Sequence, residues 1–155
     1  MRDKDTLLNS VQKKLEGTVR LPHQACVIGY ELFLLAYLLK LDKDPQVNNL
    51  ISTFTYRLPT WGLKELLNRQ VNYAIRIAES EYNLEYEEMH KLLSLCDEIY
   101  ALEYIGLNFD ENLKNHYEES IRKRFSKQRE KAKIVTEDKA EDWQRELWWY
   151  KENMT

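Results

Sequence analysis

The chain has 155 residues, 43% of them hydrophobic and 32% charged, with a formal net charge of -3. That length can bury a core without disulfides or metal, that balance lies outside the range of disordered chains, and that charge provides no general field for nucleic acid or anionic lipid. Four glycines and three prolines are few for sheets joined by tight turns, so helices are predicted throughout.

Asp3 to Leu15 sets Leu7, Leu8, Val11 and Leu15 on one helical face, and Gly17 supplies a stop. Pro22 restarts the chain ahead of the run that organises the rest, Ala25 to Leu41, in which only Gly29, Glu31 and Lys40 interrupt apolar residues. A helix apolar on all sides needs other helices or lipid around it. Its length, about 25 Å, falls short of the ~30 Å hydrocarbon core, and Glu31 would sit inside the lipid. A buried core helix is therefore predicted, with Glu31 needing a cationic or donor partner from a neighbouring helix.

Asp44-Pro45 opens a third helix carrying Val47, Leu50, Ile51, Phe54 and Leu58. Pro59 ends it, and Thr60 is placed to cap a fourth from Trp61 to about Glu79, with Leu63, Leu67, Val71, Ala74 and Ala78 inward. Asn83 is placed to cap a fifth helix, Leu84 to Ile105, whose apolar set is Tyr86, Met89, Leu92, Leu93, Cys96, Ile99, Tyr100 and Leu102, with Gly106 as its stop. Asp110 opens a sixth, in which Leu113, Tyr117, Ile121 and Phe125 recur every four residues. The stripe then fades, and residues 122–133 are predicted to project as a basic helix. Thr136 is expected to cap a Trp-rich last helix, 137–152, with Trp143, Leu147 and Tyr150 inward.

Catalytic and metal signatures are weak. Glu87 and His90 have the Glu-x-x-His spacing of di-metal bundles, but the second such pair is missing, because Leu113 stands three residues before His116. His23, Cys26, His90 and Cys96 contain the residue types of a zinc site, yet His90 and Cys96 lie about 240° apart around one helix. Both cysteines fall in apolar patterns and read as core thiols in a reducing compartment. An enzyme would need Glu31, His90 and His116 gathered in one pocket. The reading is no enzyme, no metal and no cofactor.

Charge and aromatic residues point to binding. Residues 122–133 contain Arg122, Lys123, Arg124, Lys127, Arg129, Lys131 and Lys133 against Glu130 alone, while Glu79, Glu81, Glu85, Glu87 and Glu88 form an acidic run able to neutralise them within the chain. The last helix holds Trp143, Trp148 and Trp149, more than one stripe can bury, and exposed tryptophan is a common interface anchor. Segregated charge adds orientation and partner choice.

The expected protein is all-α, a single domain over 1–155, with six or seven helices in an irregular bundle around a buried central helix at 25–41. Its expected role is that of a small cytoplasmic protein-interaction module, an adaptor, inhibitor or assembly factor, without a membrane span. Trp148, Trp149, Arg122, Lys123, Arg124, Lys127 and Arg129 are its candidate contact residues, and a homodimer is one form the contact can take. The alternative is a nucleic-acid-binding regulator using 122–133, or a helix-turn-helix-like pair over 47–78 with Asn68, Arg69, Asn72 and Arg76 outward. A composition rich in Lys, Asn, Ile, Tyr and Glu suits an AT-rich bacterial or phage source.

Overall fold

The structure, a computed structural model, describes residues 3–17, 22–57 and 66–154. These form eight α-helices and no strand: α1 Lys4–Glu16, α2 Pro22–Phe33, α3 Pro45–Arg57, α4 Leu66–Ala78, α5 Tyr86–Tyr104, α6 Glu111–Lys127, α7 Arg129–Lys139 and α8 Trp148–Met154. They group into two compact units, Met1–Leu67 with Tyr100–Asn108, and Asn68–Ile99 with Phe109–Thr155. Helix α5 therefore gives its last turn to the first unit and the rest to the second. Among the described residues, no helix is long and apolar enough to cross a membrane.

In the first unit α1, α2 and α3 pack against one another. Asp3 caps α1 by accepting from the Thr6 N–H, and Asp44 caps α3 by accepting from the Gln46 and Val47 N–H groups. The stripes predicted for α1 and α3 are buried at Leu7, Leu8, Val11, Leu15, Val47, Leu50 and Phe54. Gly29 of α2 is the point of closest approach, since a β-carbon there would lie 2.6 Å from Leu102 Cδ2. Glu31 receives the expected cation, the ammonium of Lys14 on α1.

The apolar run departs from prediction in two ways. It is α-helical only to Phe33, then widens into a π-turn over Leu34–Leu38 and closes at Lys40, which has φ of 55°. The Leu41 N–H donates to the Leu35 carbonyl across that left-handed residue, an ending usually given to glycine. The run is also not enclosed on every side, because Val27 is 45% exposed.

In the second unit α6, α7 and α8 pack together. Asp110 caps α6 as predicted, accepting from the Leu113 N–H. Helix α5 starts later than Asn83: the Glu85 N–H donates back to Glu88, half of a capping box, and Tyr86 is exposed. The segment 122–133 does not project. Arg124, Phe125 and Ala132 are buried, and the chain bends at Gln128 to begin α7. Thr136 lies inside α7, its hydroxyl donating to the Ala132 and Lys133 carbonyls instead of capping a new helix. In place of one helix over 137–152, the chain leaves α7 at Ala140, makes a short 3-10 turn at Gln144–Glu146 and forms α8.

Candidate interaction surfaces

That break redirects the tryptophans. Trp143 and Trp149 are buried, Trp149 at 4% exposure, and Trp148 is half-buried. The expectation that Trp149 stands free as an anchor is corrected. It assumed a continuous helix with one stripe, whereas the break lets the indoles turn inward from separate elements. The Trp149 Nε1–H donates to Asp97 Oδ1 at 3.1 Å, while Gln144 Nε2 at 2.8 Å and the Tyr150 hydroxyl at 3.0 Å donate to Asp97 Oδ2. Lys139 Nζ lies 3.7 Å from the same oxygen. One buried carboxylate thus gathers four groups from 139–150. Burial pushes the Asp97 acid up to about 6, against the pull of Lys139 and the three hydrogen bonds.

The basic segment is largely consumed inside its own unit. Arg124 is buried and donates to the carbonyls of Ala78, Ser80 and Tyr82 and to Gln128 Oε1. It neutralises the C-terminal end of α4, where a helix presents unsatisfied carbonyls and partial negative charge. Gln128 continues the clasp, accepting from the Leu84 N–H and donating to the Leu84 carbonyl. Arg124 is therefore withdrawn from the contact residues. Arg122 pairs with Glu118 and Glu152 and lies over the Trp148 ring at 4.2 Å, so two expected contact residues face each other. Lys123 pairs with Glu119, and Lys131 pairs with Glu85 of the acidic run. Lys127 and Arg129 are exposed.

The nucleic-acid candidates fall differently. Arg69, Asn72 and Arg76 are exposed on α4, but Asn68 turns inward, its Oδ1 buried without a hydrogen-bond partner among the described residues. The predicted joint of the helix-turn-helix-like pair, 58–62 with Pro59, Thr60 and Trp61, lies outside the described residues, as does Leu63 at the start of its second helix. The His23 side chain does so too.

Each remaining polar candidate has a local role. His116 Nε2 and the Ser120 hydroxyl both lie 2.8 Å from Glu79 Oε2, and those two bonds, His116 first, hold the Glu79 acid down. Because the carboxylate stands between hydroxyl and imidazole, His116 is not placed to take the serine proton. His90 is half-buried beside Tyr86, and burial, then Lys139, lowers its pKa. Burial pushes the Cys96 thiol up to about 12, leaving an inert core sulfur. Among the described residues, no group of three or more His, Cys, Asp or Glu is placed to hold a metal ion.

The surface that sequence reasoning missed is in the first unit. Phe33 is fully buried at the start of the π-turn, and the half-buried Tyr30, Tyr37 and Tyr100 surround it with the exposed Tyr104. Tyr37 stacks on Phe33 at 5.2 Å and 13°, while Tyr100 and Tyr104 meet both rings edge-on at 5.3–6.3 Å. Asp42 and Glu103 border the cluster. Its sequence signal is the four-residue spacing of Phe33 with Tyr37 and of Tyr100 with Tyr104, two aromatic ladders. Comparison of the chain with protein-family models, curated proteins and solved structures returns no match.

Proposed function

We propose that this chain is a protein-interaction module that acts by occupying a partner's surface, and that the tyrosine cluster around Phe33 is its contact face. The observation carrying this reading is a set of four tyrosines, Tyr104 exposed and the others half-buried, all packed on Phe33, with Tyr37 also meeting Tyr100 and Tyr104 edge-on. Such rings offer large apolar area and hydroxyl donors while little side-chain freedom remains to be lost on binding, which is why tyrosine is frequent among interface hot spots. The π-turn adds to the case, since helices usually carry this irregularity at functional positions. The acidic border of Asp42 and Glu103 favours a partner presenting lysine or arginine beside an apolar patch.

The test is site-specific photocrosslinking in cells, with a benzophenone side chain in place of Tyr104 and, as a control in the second unit, in place of the exposed Tyr82. The reading expects a discrete protein adduct from position 104 that disappears when Tyr37 and Tyr100 are changed to Ser. A species of twice the chain's mass would identify a second copy as the partner. Identical adducts from both positions, or none from 104, would remove the cluster from consideration.

A further inference from the structure

The second unit presents a different surface, centred on α4. That helix, LLNRQVNYAIRIA, contains no acidic residue. Val71, Ala74, Ile75 and Ala78 are buried, whereas Arg69, Asn72, Tyr73 and Arg76 are exposed. At 100° per residue, Arg69 and Arg76 are within about 20° of one another and about 10 Å apart along the axis, with Asn72 and Tyr73 between them on either side. Neither arginine makes an ion pair among the described residues.

Both flanks of this face continue the charge. On the Tyr73 side, the Lys91 ammonium of α5 sits over the ring, 4.8 Å from its centroid, and Lys91 has no ion pair among the described residues. On the other side, where α4 ends, Lys123 and Lys127 line a surface pocket of about 310 Å³ with Glu79, Ser80 and Ser120. Of the acids nearby, Glu79 is held by His116 and Ser120, Glu98 accepts from Gln70 at 3.2 Å, Glu119 pairs with Lys123, and Glu87 stands one helical turn before Lys91. Cations thus border the α4 face on both sides in a protein whose net charge is -3, with Lys123 shared with Glu119.

We infer that the exposed face of α4, flanked by Lys91 and by the Lys123–Lys127 pocket, binds the phosphodiester backbone of nucleic acid. The two arginine positions, about 10 Å apart along the helix axis, allow each side chain to reach a different phosphate of one backbone. Guanidinium and amide groups are the side chains that grip phosphate oxygens and base edges. The Lys91 ammonium lies over one face of Tyr73, so an unpaired base would stack on the opposite face of the ring. An acidic peptide would use the cations but have no special use for the ring and amide placed among them.

The experiment is fluorescence anisotropy of the full chain with a labelled mixed-sequence DNA duplex and a single-stranded RNA of equal length, over a salt series. Binding should weaken steeply with salt, the slope of log affinity against log salt being about -0.9 per phosphate neutralised and about -2.7 or steeper for three or more contacts. Arg69→Ala, Arg76→Ala and Lys91→Ala, all at exposed positions without ion pairs among the described residues, should each weaken binding about five- to tenfold and flatten the slope by about one. Lys133→Ala on α7 should leave binding unchanged. Preference for duplex or for single strand distinguishes groove docking from stacking on Tyr73. Absence of binding at the lowest salt, or binding untouched by the three α4 and α5 substitutions, overturns the inference. So does equal affinity for polyglutamate with the same losses, which would make the face a site for acidic protein.

Discussion

Each of the two units owes its internal cohesion to a different kind of interaction. In the first, the interior is apolar and aromatic, with Ile28, Leu32, Phe33, Leu35 and Phe54 fully buried, and the charged pairs Lys4–Asp44 and Lys14–Glu31 lie towards its surface. In the second, two buried charged residues organise whole segments: Arg124 binds the turn after α4, and Asp97 binds the chain from Lys139 to Tyr150. Apolar packing is non-directional and degrades gradually when altered. A buried charge encircled by hydrogen bonds fixes one geometry, and removing it leaves several groups unsatisfied together.

The largest test of that contrast is Asp97→Ala. It orphans the Trp149, Gln144 and Tyr150 donors and leaves Lys139 without its counter-ion. A loss of about 3 to 5 kcal/mol is expected. Urea unfolding followed by tryptophan fluorescence reads it, and a loss below about 1 kcal/mol would show that water readily replaces the carboxylate.

Acidity provides a finer probe of the same residue. The folded Asp97 acid is raised to about 6 from an ordinary 3.8, so the native state takes up a proton before the unfolded chain does. Its contribution to stability is present at low pH and is lost as pH rises through about 6. Other groups titrate as well: Glu98, also raised by burial, acts in the same sense, whereas His90 is lowered and therefore loses stability as pH falls. Glu79, with its acid lowered, acts in the same sense as His90 but further down the pH scale. The difference between wild type and Asp97→Asn isolates Asp97. Relative to the variant, wild type should gain on the order of 2 kcal/mol between about pH 7 and pH 4.5, with Trp149 fluorescence titrating over the same interval. A flat difference curve would mean that Asp97 is ionised throughout.

The contrast between the units also governs what the sequence could reveal. Periodicity located the buried faces of α1, α3 and α6, and Asp44 and Asp110 marked helix starts, because these features are written in residues three or four apart. Asp97 and Arg124 depend on groups 42 to 53 residues away, and no local pattern records such a partner. A trace was nevertheless visible. Arg124 stands three residues after Ile121 and Asp97 four after Leu93, each on a stripe whose other members are buried, which is where a charged residue most needs explaining. The Trp-rich segment misled for the complementary reason: a single helical period was imposed across Ala140–Leu147, where the chain makes a 3-10 turn that no proline or glycine announces.

In the first unit the sharpest packing test is Gly29→Ala. The new methyl would lie 2.6 Å from Leu102 Cδ2, 3.3 Å from Ile105 Cδ1 and 3.4 Å from Phe54 Cζ. Overpacking of this kind costs about 1 to 3 kcal/mol, offset by about 1 kcal/mol of improved helix propensity, so a net loss of about 1 kcal/mol is expected. Leu102→Val removes the offending methyl. In that background Gly29→Ala should be neutral or stabilising, a reversal that an apolar interior permits and that no substitution around Asp97 should show.

The smallest effect should come from Glu31→Gln, and it bears most directly on what a charge contributes in each unit. Glu31 interrupts the most apolar stretch of the sequence, as Asp97 interrupts a buried stripe of α5, yet their surroundings differ. The Glu31 side chain retains 13% exposure and its partner Lys14 retains 42%, whereas Asp97 retains 5%. Water reaches the first pair, so Coulomb attraction is weak and Lys14 can rehydrate when its partner is lost. The glutamine keeps the same shape and an acceptor oxygen. A change of less than about 1 kcal/mol is expected, and adding salt should shift wild type and variant alike. If Glu31→Gln proved as costly as Asp97→Ala, burial would not be what separates the two carboxylates, and the first unit would owe its stability to a charged residue after all.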